Sequence, residues 1–182
     1  MSAGHAHAGH HGNKEVALLI SILALVLALA ETLGKGAQTE GHAYNIEASN
    51  LWAFFQAKTI RQTVLRTAAE EVEAGNPGEG ARKQVAKWTA DAERYQSEPE
   101  TGEGRKELAA RAKEAEKKRD RSLAAYHHYE LASASVQIAI VLASASIITT
   151  MPALAWIAGA LGVIGAVFCG IGFFAPTAVH FF

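Results

Sequence analysis

The chain is apolar at both ends and polar in between. An uninterrupted apolar run from Val16 to Ala30 lies near its start, and apolar, Gly-rich sequence from Val136 to Ala175 lies near its end. Almost all charged residues lie between these two segments. The near-neutral average hydropathy hides this order, because the polar block offsets the apolar ends. The pattern predicts a membrane protein that carries one soluble insert.

The apolar segments predict three transmembrane helices. The first spans residues 14–34, and its apolar part is about 27 Å long at ~1.5 Å per residue, which is just enough to cross a bilayer core. The C-terminal apolar block is too long for one crossing, and Pro152 divides it because proline lacks an N–H and disfavours helix in the residue before it. The other two helices are therefore expected at 131–150 and 152–175, followed by a tail at 176–182.

A competing interpretation treats the first apolar run as a cleaved secretory signal. Ala28-Leu29-Ala30 has the small-x-small form of a cleavage site, and cleavage would leave the central block outside the cytoplasm. The segment before the run offers only Lys14 as a basic residue, where a signal needs a basic region. An uncleaved first helix is the favoured interpretation.

The basic residues predict the orientation of the chain. Of its 17 Lys and Arg residues, all but Lys14 lie between Lys35 and Arg121. Because loops rich in Lys and Arg stay in the cytoplasm, we expect a cytoplasmic central block and an N-terminus outside.

The central block, residues 35–130, has the pattern of an all-α helical hairpin. Two loops rich in Gly and Pro, at 75–80 and 99–104, separate helices expected at about 38–74, 81–97 and 105–130. The third helix carries a narrow Ala-rich stripe that includes Leu108, Ala112 and Ala115, typical of a thin coiled-coil-like seam. Acidic and basic residues alternate in the block, which argues against a nucleic-acid partner.

Small residues recur every four positions in the last predicted span. The stripe consists of Ala158, Gly162, Ala166 and Gly170. Small residues at this spacing let helices approach closely, either within the chain or between chains. Packing against the other two spans of the same chain is favoured over contact with another protein.

The N-terminal tail is rich in histidine. His5, His7, His10 and His11 lie within residues 1–13, which are predicted to be disordered. Neutral imidazoles bind zinc, copper or nickel, so weak binding of a transition metal by this tail is a hypothesis. A tail without a metal is favoured because no Cys, Asp or Glu completes a closed site. No other cofactor is expected.

A segment of alternating aromatic and polar residues, Asn45 to Gln62, is expected to lie near the membrane opposite the segment Tyr126 to Glu130. Aromatic residues at this depth are commonly interfacial anchors. A partly buried ionic cluster that fixes helix register, or that receives an anionic lipid head group, is the sharper hypothesis. Its candidate members are Trp52, Phe55, Gln56, Lys58, Arg61, His128, Glu130 and Gln137.

The sequence contains no recognisable catalytic set. It has no nucleophile beside a base, no Gly-rich phosphate loop and no closed metal motif. Its only cysteine, Cys169, lies inside the last predicted span. We therefore expect a protein that is not an enzyme.

Two segments resemble a known family. Residues 45–62, with Trp-Ala-Phe-Phe-Gln-Ala-Lys at positions 52–58, and residues 126–149 are similar to the bacterial membrane-protein family called domain of unknown function 4337. The resemblance covers nearly the whole chain and least the loops near Gly75 and Pro99. It implies an all-helical protein of the bacterial inner membrane and no particular reaction.

Taken together, these features predict a structural or assembly subunit of the membrane. We expect it to contact membrane lipids and either to form a homo-oligomer or to dock on a larger membrane complex, because a thin helical hairpin buries little apolar area by itself. The alternative is a small conduit or metal-handling protein, with the histidine tail capturing a cation and Glu31 and Gln137 near its path.

Overall fold

The computed structural model describes the backbone of residues 6–178 and the side chains of residues 14–178. Its helices are α1 (Ala6–Ala74), α2 (Glu79–Gln96), α3 (Arg105–Thr149) and α4 (Pro152–Phe174), and the described residues contain no strand. The predicted all-α class is confirmed. Three of the helices contain segments long and apolar enough to cross a membrane, at Lys14–Ala74, Arg105–Thr149 and Pro152–Phe174.

α1 is one continuous helix of 69 residues, although the sequence predicts a first span at 14–34 and a separate helix from about 38. Three glycines, Gly34, Gly36 and Gly41, lie where the two predicted helices join. Each glycine costs about 1 kcal/mol in a helix relative to alanine. Close helix packing accounts for two of them: a Cβ built on Gly34 lies 3.2 Å from the Cβ of Tyr129, and one built on Gly41 lies 2.9 Å from Cδ2 of Leu123. At these two sites a small residue serves packing between α1 and α3.

The start of α1 also differs from the prediction. The helix begins at Ala6, so it includes part of the tail that was predicted to be disordered over residues 1–13. The rest of the tail and its side chains lie outside the described residues.

The predicted breakers separate the later helices. Asn76 has a positive φ of 59° after α1, and α2 begins after Gly78. Thr150 has a positive φ of 56° between α3 and α4, and Pro152 occupies the first turn of α4, where the missing N–H has no intrahelical partner in any case. α3 continues without a break from the insert into the second apolar segment, as its sequence predicts.

The chain divides into two compact units. We call Met1–Gly41 with Asp120–Phe182 the span unit and His42–Arg119 the insert unit. The span unit has a small-residue core of Leu23, Val136, Ala139, Ala143 and Ala158. The insert unit has a core of Ala48, Leu51, Leu108, Ala112 and Ala115, against which Trp52 and Phe55 pack. The Ala-rich stripe of α3 is thus buried as predicted.

Candidate functional site

Lys58 is the most deeply buried charged side chain of the insert unit, at 6 % exposure. Its ammonium nitrogen lies 3.7 Å from Glu98 and 3.8 Å from Glu103, two carboxylates of the connection between α2 and α3. It also lies 5.1 Å from the ring centroid of Tyr95 and 5.4 Å from that of Phe54. The desolvated cation is therefore compensated by two anions and two aromatic faces, and it fixes this connection onto α1.

A second polar group joins all three helices of the insert unit. Gln62, 2 % exposed, donates to the Ala92 carbonyl oxygen at 2.9 Å and to Gln96 Oε1 at 3.2 Å. It accepts a hydrogen bond from Nη1 of Arg105, which also donates to Gln96 at 3.0 Å. The guanidinium of Arg105 lies 5.0 Å from the centroid of Phe55. The sequence places Gln62 only as the last residue of the aromatic and polar segment 45–62, and no partner was predicted for it.

The aromatic residues near this group pack inside the insert unit. Trp52 Nε1 donates to Glu116 Oε1 at 2.9 Å, and its ring meets Phe55 edge to face at 5.4 Å between centroids. Gln56 and Arg61, also proposed as cluster members, are exposed. The structure thus brings together Trp52, Phe55 and Lys58 on the inner side of α1 and leaves the other two outside.

The start of α3 is held by a carboxylate. Glu107 accepts hydrogen bonds from Ser97 Oγ at 2.6 Å and from the Glu98 backbone N–H at 3.2 Å. The hydrogen bond from Ser97 is the main cause that lowers the pKa of Glu107 below its ordinary value, because both donors favour the ionised form.

The remaining predicted members of the cluster belong to the span unit. His128 is 1 % exposed, its Nε2 lies 3.2 Å from the Pro176 carbonyl oxygen, and its ring stacks on Phe168. Glu130 is exposed, 3.7 Å from Nδ1 of His127. Gln137 donates to Glu31 at 3.3 Å and to Ser133 at 3.2 Å.

The predicted members of the cluster are therefore divided between the two units. Tyr129 packs at Gly34 and Gln137 contacts Glu31 in the span unit, while in the insert unit Arg119 donates to Asn45 at 3.4 Å. Within the span unit, segment 126–130 packs beside residues near Gly34. α2 folds back beside α1, and the first residue of α3, Arg105, therefore lies next to Gln62.

The small-residue stripe of α4 divides in the same way. Ala158 and Gly162 are buried, and a Cβ built on Gly162 lies 2.5 Å from Leu23 Cδ2. Ala166 is exposed and Gly170 has no atom within 4 Å of such a Cβ. The buried positions that continue the face are Gly165 and Gly172, because a strict four-residue spacing drifts by about 40° per step around a helix with 3.6 residues per turn.

The outer side of α1 in the insert unit carries an apolar repeat that sequence reasoning missed. We call it the α1 seam. Its exposed large members are Ile46 at 61 %, Ile60 at 64 % and Val64 at 59 % exposure. Its positions alternate in steps of four and three residues. They are Ile46, Asn50, Ala53, Ala57, Ile60 and Val64.

Metal-binding groups are not formed by the side chains that the structure describes: among residues 14–178 no three His, Cys, Asp or Glu residues are grouped to hold an ion. His5 lies outside the described residues, as do the side chains of His7, His10 and His11. Metal binding by the tail stays a prediction.

Comparison with known proteins yields one match. The family described as "Domain of unknown function (DUF4337)" matches residues 12–175, which confirms the resemblance found in the sequence. No curated protein and no solved structure matches the chain.

Proposed function

The chain belongs to the DUF4337 family, and because the family's description names no reaction, we propose its function from its structure: it is a non-enzymatic membrane subunit that self-associates through the α1 seam. The observation that carries this proposal is the heptad-spaced apolar face left open on α1. We place the protein in the bacterial inner membrane, with the insert in the cytoplasm and the N-terminus outside.

The spacing of the seam residues is that of a surface that packs against a second helix. Steps of four and three residues are those of the a and d positions of a coiled coil, and they extend over about 27 Å from Ile46 to Val64. The partners of α1 within the insert unit use the opposite side of the helix, where Leu51, Lys58 and Gln62 are buried. A contiguous exposed apolar stripe of this kind is typical of an interaction surface.

The occupant that fits is a second copy of this chain, running parallel. Copies inserted with the same topology run α1 in the same direction, so each seam residue meets its own counterpart across a two-fold axis. Ala53 and Ala57 at the centre permit close approach. Asn50 occupies an a position, where a pair of asparagines fixes the register and the two-stranded state at some cost in stability.

The flanking residues agree with this pairing. In a parallel dimer, Gln56 of one copy faces Arg61 of the other, and His42 faces Glu47. No like charges oppose each other at these positions. The short seam is also assisted by the membrane, because copies confined to one bilayer meet at a high effective concentration.

The other roles suggested by the sequence remain separate hypotheses. Docking on a larger membrane complex would use the same open face, with a different helix as the occupant. Metal handling by the tail depends on His5, His7, His10 and His11. Replacing these four by alanine while measuring metal binding tests that role without touching the seam.

Cysteine cross-linking in membranes tests the seam directly. In a Cys169→Ala background, Ala53→Cys and Ile60→Cys are expected to form disulfide-linked dimers on mild oxidation, because both are at d positions that meet their counterparts. Arg66→Cys is the matched control: it is exposed on α1 but lies away from the seam. Equal cross-linking at Arg66→Cys, or none at the two seam positions, would overturn the proposal.

A further inference from the structure

A cleft of about 450 Å³ opens between α1 and α3 in the span unit. Its polar lining includes Glu31, Lys35, Gln38, Tyr126, Glu130, Ser133 and Gln137. The buried side chain of Tyr129 contributes to its lining, and a Cβ built on Gly34 would lie 3.2 Å from the Cβ of Tyr129. The glycine therefore lets α1 and α3 pack closely beside the cleft.

The cleft lies at the edge of the apolar segments. Glu31 directly follows the apolar run that ends at Ala30, and Glu130 directly precedes the apolar segment that begins at Leu131. Gln137 lies seven residues further along α3, about 10 Å deeper at 1.5 Å per residue. Exposed Leu131 and Ile138 lie on the same stretch of α3. A ligand here would have a polar end at Glu130 and an apolar end below it.

The hydrogen bonds made by Gln137 use its N–H donors and leave oxygen acceptors for a ligand in the cleft. Gln137 Nε2 donates to Glu31 Oε1 and to Ser133 Oγ, which orients the Glu31 carboxylate and leaves the Gln137 carbonyl oxygen as an acceptor. Two carboxylates, Glu31 and Glu130, and one ammonium, Lys35, then face the same space. This charge pattern complements a group that carries one cation with several N–H donors and one anion.

We propose that the cleft binds a phospholipid whose head group carries a primary amine, of the phosphatidylethanolamine type. The ammonium donates to Glu31 and Glu130, and the phosphate meets Lys35. The acyl chains follow the apolar surface of α3 past Leu131 and Ile138. The site is separate from the α1 seam, so this inference goes beyond self-association.

The chemistry of the cleft separates this ligand from other common phospholipids. An anionic glycerol head group could place its phosphate at Lys35, but it would bring no positive charge to Glu31 and Glu130. A choline head group has a cation but no N–H to donate, and its favoured partner is an aromatic cage rather than a carboxylate pair. The primary amine alone satisfies both carboxylates by hydrogen bonds.

Native mass spectrometry of the full chain in mild detergent tests the proposal. The probes are phosphatidylethanolamine, phosphatidylcholine and phosphatidylglycerol with identical acyl chains. We expect the ethanolamine lipid to bind about tenfold more tightly than the other two, because each charge-assisted hydrogen bond adds roughly this factor or more. The double variant Glu31→Gln/Glu130→Gln should lose the preference, and Lys35→Gln should weaken all three lipids.

The same experiment includes a control variant and a soluble head-group compound that lacks the acyl chains. Glu40→Gln removes a carboxylate from an exposed position of α1 that does not line the cleft, and it should leave the preference unchanged. Glycerophosphoethanolamine, which has no acyl chains, should fail to displace the lipid. Equal binding of the three lipids, a preference kept by the double variant, or displacement by the soluble compound would overturn the proposal. The same spectra report the number of copies, so loss of lipid preference and loss of self-association are read separately.

Discussion

At the scale of single residues, buried polar side chains decide how the insert unit closes. Lys58 and Gln62 lie four residues apart on α1, which is about one turn. Lys58 contacts the connection between α2 and α3, and Gln62 contacts α2 itself. Apolar stripes such as Ala48 and Leu51 can slide along a neighbouring helix at little cost. A hydrogen-bonded amide cannot, because a shift would leave buried donors and acceptors without partners.

Replacing Gln62 by alanine should therefore destabilise the insert unit. The variant leaves the Ala92 carbonyl, Gln96 and Arg105 without a shared partner, and we expect the free energy of unfolding to fall by about 1–3 kcal/mol. Urea unfolding of the full chain in detergent, followed by circular dichroism, measures this. Gln84→Ala, at an exposed position of α2, is the control and should change stability by less than about 0.5 kcal/mol. Equal losses in the two variants would contradict the assigned role.

The stability that Glu107 gives the insert unit should depend on pH. Because its pKa is lowered in the folded state, its contribution is fully present above the ordinary glutamate pKa and is lost as the pH falls through the lower, folded value. Glu107→Gln should melt at a lower temperature than the wild type at neutral pH, and the difference should vanish in strong acid. Thermal melts across this pH range test it. A constant difference at every pH, or the same profile in the exposed control Glu114→Gln, would argue against it.

Individual side chains were the least predictable level from sequence. Lys58 was recognised as a member of an ionic cluster in which Glu130 was the only carboxylate, whereas its carboxylate partners are Glu98 and Glu103. The local sequence pattern does not predict that α2 folds back along α1. This arrangement brings Glu98 and Glu103 of the following connection to Lys58. The partner of a buried charge depends on topology, which residue types alone do not specify.

At the scale of elements, glycine decides where α4 packs. A Cβ built on Gly165 lies 2.5 Å from Val136 Cγ2 and 3.1 Å from the Ala132 carbonyl oxygen, whereas one built on Gly170 meets nothing within 4 Å. The backbone oxygen cannot move aside without displacing α3. The packed face of α4 is therefore defined by Gly165 as much as by Gly162.

Gly165→Val should separate α4 from α3, and Gly170→Val should be tolerated. We expect overpacking at Gly165 to cost about 1–3 kcal/mol. The two substitutions add the same side chain to the same helix, so their effect on helix propensity is matched. Thermal unfolding in one detergent compares them. Equal melting temperatures of the two variants would contradict the assigned packing of Gly165 against α3.

Element boundaries were the most predictable part of the fold. Loops containing Asn76, Pro77 and Gly102 end or precede helices close to the expected positions, and Pro152 begins α4 as its chemistry predicts. The continuity of α1 was missed, because glycine was weighed by its helix propensity alone. Tertiary packing at Gly34 and Gly41 overrides that propensity, and it is visible only once α3 is in place.

At the scale of the whole molecule, the order of apolar and charged segments predicts the class of protein but not its partner. The three apolar helices and the family follow directly from the sequence. The α1 seam was hidden in the sequence because α1 carries two apolar faces, and their combined pattern has no single period. Only the burial of Leu51 and Gln62 on one side reveals that Ile46 and Ile60 are left on the other.

The proposed orientation can be tested independently of self-association. In a Cys169→Ala background, a membrane-impermeant maleimide should label Met151→Cys, in the exposed connection before α4, on intact spheroplasts. Glu100→Cys, in the exposed connection before α3, should be labelled only after the membrane is broken. The reverse pattern would place the insert outside the cytoplasm.

Self-association through the α1 seam is the central claim, and the mass of the protein released gently from its own membranes tests it most directly. Native mass spectrometry should find two copies for the wild type. It should find one copy for Ile60→Asp, and the far-UV circular dichroism of this variant should keep the helix content of the wild type, because Ile60 is exposed in the single chain. A wild type that is one copy, or an Ile60→Asp variant that remains two copies, would contradict the account.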